Sequence, residues 1–332
     1  MQSLTAHDHC APQTVIFAVQ WEAGLIRFMS RVSHSGFTAI LITSKQEKMP
    51  LRPMSEPETF EMTQAHFALL SKTGDAHKYS YGHAVVIAGP AGQGGAARLA
   101  ARGALRIGAG LVSVVCDMTA LAEHASQLNA VMVKPYASQA VFRDLVMSLK
   151  PKAICIGPNL GLGADARAQV SQVMAMDLPL CIDADAITVL ADRSHALPFA
   201  ANPQSVMTPH EGELRRFIPE AFNQTSCRVT LAQCAADKAG CTVLFKGPDT
   251  VIATPQRRPV IVSAKRFMHT GWLATAGSGD VLAGFVTGLL ARGFDAPLAA
   301  SVATELHFSC AQAFGPGLIA EDIPEMLAKV LR

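Results

Sequence analysis

The sequence predicts an α/β fold, in which helices cover both faces of a mostly parallel sheet. From Tyr81 onward, short apolar runs alternate with alanine-rich stretches of helical character. Runs that are short and apolar throughout are typical of strands buried on both faces. Their alternation with helices favours parallel pairing. The predicted strands are HAVVIAG (83–89), LVSVVC (111–116), AICIG (153–157), LPLCID (178–183), SVMT (205–208) and TVLFKG (242–247).

The composition indicates a globular protein and argues against two classes of partner. Half of the 332 residues are hydrophobic and 16% are charged, which is enough apolar surface for a large core. The net charge is +2 without a long run of Lys or Arg, so nothing marks a nucleic-acid surface or a polybasic membrane patch. No apolar run reaches the ~18 residues of a membrane span. We therefore expect neither nucleic acid nor membrane as a partner.

The eight cysteines favour a reducing, cytoplasmic setting. They include no C-x-x-C pair, and most lie among apolar residues, where a free thiol behaves as a small hydrophobe. Cys227, Cys234 and Cys241 are evenly spaced, but no His or acidic cluster accompanies them. Coincidence therefore explains this spacing better than a metal site does. The N-terminus also lacks the basic region of a signal peptide.

The chain divides into an N-terminal extension, residues 1–75, and one α/β domain, residues 76–332. The extension shows no repeating element, and KMPLRPMSEPETFEM (48–62) has the composition of a linker. We expect the extension to be poorly structured or a mis-annotated start, with Met49 and Met54 as alternative initiation sites. The second segment contains all the predicted strands.

Ligands of parallel sheets bind beyond the carboxyl ends of the strands, so the loops after the predicted strands are the candidate sites. The first strand is followed by PAGQGGAARL, a glycine-rich turn that opens a helix. Free amides and the helix dipole make such a turn an anion site, but glycines also permit tight strand-to-helix packing. The turn is neither a G-x-G-x-x-G fingerprint nor a Walker A loop. Both interpretations stay open.

Polar side chains follow three further strands. Asp183 and Asp185 follow one strand, and we expect Asp185 to be the N-cap of the next helix and Asp183 to face a cleft. Lys246 leaves a buried strand at a predicted hairpin turn, where its ammonium needs an anionic partner. The third group, in VMTPHEGEL, comprises Thr208, His210 and Glu213.

The stretch TAGSGDVLAG (275–284) places Asp280 where a glycine-rich turn becomes a helix. A role as helix N-cap would explain Asp280 by itself. It would not explain the three glycines of this stretch, because glycine loses more conformational entropy on folding than other residues do. Around Gly277–Gly279, exposed amides can face a developing anion. The helix dipole favours the ionised form of Asp280, so the carboxylate can accept a proton from a hydroxyl. An anion hole beside a base indicates phosphoryl transfer.

These motifs resemble the ADP- or ATP-dependent NAD(P)H-hydrate dehydratases of the ribokinase-like superfamily, whose fold is a three-layer αβα sandwich. The resemblance covers about residues 77–331, in family order. It rests on the segments HKYSYGHAVVIAGPAGQGGAARLAARGALRIGAGLVSV, ICIGPNLG, CIDADAITVLA, VMTPHEGEL, VLFKGPDTVIA, LATAGSGDVLAGFVTGLLARG and AEDIPEMLAKVL.

The resemblance implies repair of NADHX and NADPHX, the hydrates of NADH and NADPH, through phosphorylation of the C6 hydroxyl of the S epimer and elimination of phosphate. Mg²⁺ and ADP (or ATP) are the implied cofactor and co-substrate. Asp280 would be the base, and Gly277, Ser278 and Gly279 would form the anion hole. The implied nucleotide-binding residues are Lys246, Gly247, Pro248, Asp249, Thr250 and Gly279. The implied substrate-binding residues are Ala96, Asn159, Gly161, His210 and Asp280.

Glu213 and Asp183 are the implied metal-organising residues, with Mg²⁺ carried by phosphates more than by protein. Many relatives also carry an epimerase domain. Residues 1–75 are too short for it, so we expect dehydratase activity only, with a separate epimerase acting on the same hydrates. We also expect a homo-oligomer, with the tetramer among its candidate states.

The sequence departs from the family pattern at three places. Asn159 replaces the middle glycine of G-P-G-L-G, and because Asn tolerates positive φ, the turn is expected to survive. Ile187 and Thr188 stand where the family has Leu and Asn. Trp272 and Ala276 occupy positions that are often Asn and Gly.

Two other functions stay open. The first is a ribokinase-like kinase of a vitamin-precursor alcohol, such as a hydroxymethylpyrimidine or hydroxyethylthiazole, which would share Asp280 and the anion hole. Such kinases usually place Asn at the position of His210, which favours the dehydratase. The second is a nucleotide-binding protein without catalysis, which an intact Asp280 argues against.

Overall fold

The computed structural model describes the backbone of residues 14–21, 24–33, 36–42, 56–192 and 201–332, and the side chains of residues 56–192 and 201–332. The chain forms two compact units, Met1–Pro50 and Leu51–Arg332. In the first unit, β1 (Thr14–Trp21), β2 (Gly24–Ser33) and β3 (Gly36–Ile42) form an antiparallel sheet in that order. The alternative starts, Met49 and Met54, lie outside the described residues.

The second unit contains a ten-stranded sheet of order β4-β13-β12-β11-β10-β9-β8-β5-β6-β7. Neighbours from β7 to β11 pair in parallel, whereas β12 runs antiparallel to β11 and to β13. The strands are β4 (Glu58–Thr59), β5 (His83–Ile87), β6 (Leu111–Asp117), β7 (Met132–Tyr136), β8 (Ala153–Ile156), β9 (Leu180–Ile182), β10 (Val206–Met207), β11 (Thr242–Phe245), β12 (Asp249–Ala253) and β13 (Val260–Ser263).

The predicted α/β class and the six predicted strands are confirmed, and so is the hairpin after Lys246. Sequence analysis missed β7, whose segment carries Lys134 and Pro135. Proline is tolerated there because β7 is the edge strand of the sheet. Within the extension predicted for residues 1–75, β4 pairs with β13. The boundary between residues 75 and 76 stays a prediction.

Helices flank the sheet. Gly240 ends one of them in the left-handed conformation, with φ +67°, as the sequence predicts for a glycine C-cap. None of the helices in the described part of the chain is long and apolar enough to cross a bilayer. The helices are α1 (Gln64–Leu70), α2 (Gly95–Arg106), α3 (Leu121–Ala125), α4 (Gln139–Ser148), α5 (Ala164–Met174), α6 (Ala184–Ala191), α7 (Glu211–Phe217), α8 (Pro219–Phe222), α9 (Arg228–Ala239), α10 (Ser278–Ala291), α11 (Ala296–Phe314) and α12 (Asp322–Val330).

The core is densest where α2 crosses α10. Helix α10 is apolar around its whole circumference and is buried from Val281 to Ala291, as expected of a central helix. Glycines permit the close approach. A side chain at Gly284 would place its Cβ 2.1 Å from the carbonyl oxygen of Ala100, and one at Gly288 would place its Cβ 2.2 Å from Ile107. Backbone of α2 therefore lies directly against α10.

We expect Gly284→Ala to destabilise the protein by about 1–3 kcal/mol, because the added methyl group meets backbone atoms that cannot move independently of α2. Denaturant unfolding of the full chain measures the change. Gly74→Ala is the matched control, since Gly74 is exposed and has no atom within 4 Å of an added Cβ. Equal stability of the two variants would contradict the close helix contact.

Candidate active site

Three consecutive parallel strands end in polar residues that contact one another. Asp183 follows β9, Thr208 follows β10 and Lys246 follows β11. Lys246 Nζ donates to Asp183 Oδ1 at 2.8 Å, and Thr208 Oγ1 donates to the same oxygen at 2.7 Å. Asp183 is only 2% exposed. The strand-end cluster that the sequence predicts is therefore present, with a buried ion pair at its centre.

The ammonium of Lys246 joins this cluster to the start of α10. It lies 4.0 Å from Glu213 Oε2 and 3.6 Å from the position that a Cβ on Gly279 would occupy. Burial alone would lower the pKa of Lys246, but the charges of Asp183 and Glu213 outweigh it, so the pKa is raised. Lys246 therefore stays cationic among the carboxylates.

Helix α10 begins at a glycine turn that other side chains hold in place. Gly277 adopts φ +88°, which only glycine reaches without strain. Ser278 Oγ donates to the carbonyl of Leu273 at 2.5 Å, and the carbonyl of Ser278 accepts a hydrogen bond from His307 Nε2 at 3.0 Å. Burial lowers the pKa of His307 to about 4, so this ring is neutral. The amide of Ser278 donates to the carbonyl of Thr275 at 3.4 Å. The first-turn amides of Gly279 and Asp280 precede the first intrahelical hydrogen bond and can serve an anion.

Asp280 lies in this first turn, and its protonation differs from the expectation. Burial and, to a smaller extent, the charge of Asp183 raise the pKa of Asp280 to about 7, although Lys246 opposes the shift. The helix dipole that was expected to keep this carboxylate ionised is thus outweighed. A carboxyl group that titrates near neutral pH is well matched to proton transfer.

His210 and Glu213 cap the start of α7. The amide of Glu213 donates to His210 Nδ1 at 3.2 Å, and the amide of His210 donates to Glu213 Oε2 at 2.8 Å. His210 Nε2 also lies 3.3 Å from Glu213 Oε1. Burial raises the pKa of Glu213, and Lys246 opposes the shift. The capping box aims Glu213 at Lys246 and leaves the ring of His210 more than half exposed.

The turn after β8 contains the first departure from the family pattern. Asn159 adopts φ +52°, so the expectation that asparagine would preserve the turn is confirmed. The amide of Gly161 donates to Asp185 Oδ2 at 2.8 Å. The expectation that Asp185 caps α6 is wrong, because the N-cap position is held by Asp183 and the side chain of Asp185 serves the neighbouring turn instead.

The hairpin between β11 and β12 carries the predicted nucleotide-binding residues. Thr250 Oγ1 donates to the carbonyl of Gly247 at 2.8 Å, which closes the turn. The carbonyl of Pro248 accepts a hydrogen bond from the amide of Ala264. The carboxylate of Asp249 turns to β13, where Ser263 and Lys265 donate to it. Asp249 therefore contributes no side chain to the Lys246 cluster.

Sequence analysis missed Arg228, which contacts this hairpin from α9. Its guanidinium donates to the carbonyl of Lys246 at 2.8 Å and lies 3.6 Å from the ring centroid of Phe245. A side chain at Gly247 would place its Cβ 2.5 Å from the same guanidinium. Arg228 belongs to α9, far from the motif in the chain, so no local pattern identifies it.

Ala96 lies half-buried in the first turn of α2, after the glycine-rich turn. The same helix reaches α10, because Leu99 packs against Gly277. The glycine-rich turn itself binds an anion from within the chain, since the amides of Gly92 and Gly94 donate to the carboxylate of Glu123. Contact of that turn with a phosphate or cofactor stays a prediction.

The site residues fit a metal ion held by a ligand better than one held by the protein. In residues 56–192 and 201–332, no three His, Cys, Asp or Glu side chains are grouped as metal ligands. The Oδ1 atom of Asp183 is engaged by Lys246 and Thr208. The surplus of carboxylates over cations around Asp280 nevertheless favours a cation nearby.

Comparison with known sequences identifies relatives of this chain. A family model described as NAD(P)H-hydrate dehydratase matches residues 84–330. The bifunctional NAD(P)H-hydrate repair enzyme Nnr of Synechocystis is 37% identical over 242 residues, which are 71% of this chain and 44% of that protein. The enzyme of the same name from Salinibacter ruber is 33% identical over 271 residues, 77% of this chain and 49% of that protein. The chain thus spans about half the length of these relatives.

Solved structures share the fold. The ADP/ATP-dependent NAD(P)H-hydrate dehydratase from Bacillus subtilis, co-crystallized with ATP/Mg²⁺, superposes with a TM-score of 0.67 at 26% identity, covering 84% of this chain and 98% of that one. A ribokinase-like superfamily protein from Enterococcus faecalis gives a TM-score of 0.66 at 25% identity, covering 80% and 93%. The fold is therefore ribokinase-like, as the sequence predicts. Since the family model spans most of the chain and includes every strand end described above, the chain belongs to the NAD(P)H-hydrate dehydratase family.

Proposed function

We propose that the protein is an ADP-dependent dehydratase that returns the S epimer of NAD(P)H hydrate to NAD(P)H. The observation that carries the proposal is the position of Asp280, a carboxyl group of pKa about 7 at the amide-rich start of α10, beside the cationic Lys246. Such a pair supplies a base and a positive charge at one point, as phosphoryl transfer to a hydroxyl requires.

Asp280 removes the proton of the C6 hydroxyl while the hydroxyl oxygen attacks the terminal phosphorus of the nucleotide. The bond between that phosphorus and the bridging oxygen breaks, and AMP leaves when the nucleotide is ADP. The first-turn amides near Gly279 bind the equatorial oxygens while their charge develops. Phosphate then leaves C6 with its bonding electrons and C5 loses a proton, which restores the dihydronicotinamide.

The hairpin after β11 is the proposed nucleotide site. Lys246 and the backbone of Gly247 would contact the nucleotide, and Thr250 and Arg228 support the turn from behind. Mg²⁺, when bound, neutralises charge on the phosphates. Glu213 and Asp183 would orient its water ligands, because both carboxylates already face the Lys246 ammonium.

The hydrate is proposed to bind between the turn of Asn159 and Gly161, the start of α2 at Ala96 and the exposed ring of His210. These residues follow the carboxyl ends of β5, β8 and β10, which lie at the same edge of the sheet. All cysteines in the described residues are free thiols, which supports the proposed cytoplasmic location. The homo-oligomeric state and the separate epimerase stay predictions.

The proposal is tested by incubating the purified full chain with enzymatically prepared NADH hydrate, Mg²⁺ and either ADP or ATP. Recovery of the dihydronicotinamide absorbance is expected, and it must depend on the nucleotide. The alternative function, a kinase of a vitamin-precursor alcohol, predicts phosphorylation of hydroxymethylpyrimidine or hydroxyethylthiazole instead. That product, without recovery of dihydronicotinamide, would exclude the dehydratase.

Asp280→Asn is expected to lower kcat by about a hundred- to ten-thousandfold, because the amide cannot accept the hydroxyl proton. Calorimetric titration with ADP should show nearly unchanged affinity. Asp144→Asn, an exposed aspartate on α4, is the control and should keep the wild-type rate. A near-normal rate for Asp280→Asn would remove Asp280 from the mechanism.

The pH dependence of kcat/KM should report the titration of Asp280. Because the base acts only when ionised and its pKa is about 7, kcat/KM should rise with pH up to about neutrality and then level off. Lys246 lowers the pKa of Asp280, so Lys246→Met should displace the rising limb to higher pH, whatever its effect on nucleotide affinity. An unmoved limb would show that another group titrates.

The raised pKa of Asp280 also has a consequence for folding. The native state favours the protonated form of Asp280. The stability that protonated Asp280 contributes is therefore complete below the pKa of the unfolded chain, and it is lost as pH rises through the folded pKa of about 7. Asp280→Asn removes this titration. The Tm of the variant relative to wild type should therefore increase between about pH 5 and about pH 8. A constant difference would indicate an unperturbed carboxyl group.

A further inference from the structure

The glycine-rich turn between β5 and α2, residues 90–94, is held from one side by a single carboxylate. The amides of Gly92 and Gly94 donate to the two oxygens of Glu123, at 2.6 Å and 2.9 Å. Arg98 also donates to Glu123, at 2.9 Å. The hydrogen bonds of Gly92 and Arg98 lower the pKa of Glu123, so this carboxylate is ionised at neutral pH. Charged hydrogen bonds of this kind are stronger than neutral ones.

The opposite side of the turn is held by Asn159. Its Nδ2 donates to the carbonyl of Gln93 at 3.3 Å. Its own carbonyl lies so close to Gly89 that an added Cβ there would approach it to 1.8 Å. Asn159 occupies the position at which the family resemblance expects glycine, and glycine could not make the side-chain bond. This contact is therefore a particular property of the present chain.

The turn has little room to adopt another conformation while these contacts persist. A side chain at Gly94 would place its Cβ 2.5 Å from Glu123 Oε1 and 2.7 Å from the ring of His124. His124 is fully buried beneath the turn. The turn thus lies directly on α3. Among the described residues, Glu123 is the only side chain that accepts hydrogen bonds from the amides of the turn.

The residues that follow these contacts in the chain are those proposed to bind the hydrate. Ala96 is two residues beyond the end of the glycine-rich turn, and Gly161 is two residues beyond Asn159. The Asn159 bond fixes the two turns to each other. The contacts of Glu123 and Asn159 therefore restrain the two turns that precede Ala96 and Gly161.

We propose that Glu123 and Asn159 are positioning residues that keep the glycine-rich turn in the conformation that binds the hydrate. The proposal rests on the proposed dehydratase function. In this role both residues act through the turn, on the fraction of molecules that are ready to bind. A smaller competent fraction raises the apparent dissociation constant in proportion and leaves the bound complex unchanged.

The test uses Glu123→Gln and Asn159→Gly in the full chain. Asn159→Gly removes only the side chain, because glycine adopts φ +52° without strain. We expect the KM for NADH hydrate to rise about tenfold for Glu123→Gln and about threefold for Asn159→Gly, in keeping with the loss of one charged and one neutral hydrogen-bonding group. The kcat and the KM for ADP should stay within about twofold of wild type.

Hydrogen exchange gives a readout that does not require activity. The amides of Gly92 and Gly94 should exchange faster in Glu123→Gln, while the core strands keep wild-type protection. Glu325→Gln is the matched control, because it breaks ion pairs with Arg102 and Arg106 on the same helix α2 without touching the turn. This variant should match wild type in hydrate KM and in exchange at the turn.

The outcomes separate the two proposals. If the wild-type protein does not regenerate NADH, the proposed function is wrong, whatever the variants do. Active wild-type protein whose variants keep the wild-type hydrate KM and turn exchange overturns the positioning roles alone. A fall in kcat without a rise in hydrate KM also overturns them, because the residues would then act on the chemical step.

Discussion

The buried ion pair between Lys246 and Asp183 is the interaction on which the rest of the site depends. Asp183 is 2% exposed, and removing such a carboxylate from water costs several kcal/mol. A cation and a hydrogen-bond donor must compensate this cost. Lys246 and Thr208 satisfy this requirement only because β9, β10 and β11 end side by side. The same ammonium lowers the pKa of Glu213 and of Asp280, against the burial that raises both. One cation thus favours the ionised form of every carboxyl group in the cluster.

Much of the fold was predictable because the information was local. A strand buried on both faces is recognised by its own residues, and so is the glycine that ends α9. The edge strand β7 could not be predicted in this way. Its Lys and Pro are tolerated only at the edge of a sheet, and a short segment of sequence does not show where that edge lies. Asp183 and Lys246, which follow separate strands in the sequence, contact each other because parallel strands bring their carboxyl ends together.

The parts of the site that sequence analysis missed involve distant segments or competing energies. Arg228 and Glu123 act on turns that lie elsewhere in the chain, so their roles exist only after folding. The pKa of Asp280 was misjudged for another reason. The helix dipole is visible in sequence, but burial and the nearby Asp183 charge are not, and together they exceed it. The same local reasoning predicted that Asp185 caps α6, whereas its side chain accepts a hydrogen bond from the amide of Gly161 in a neighbouring turn.

Helix α10 carries Asp280 at its first turn and spends the rest of its length inside the core, pressed against α2 through Gly284 and Gly288. The carboxyl group proposed as the base therefore stands at the end of a helix that is buried in the core, and its alignment depends on packing many residues away. Under the proposed function, a change in the packing of α10 would displace the base, so variation in substrate preference is expected in the surrounding turns.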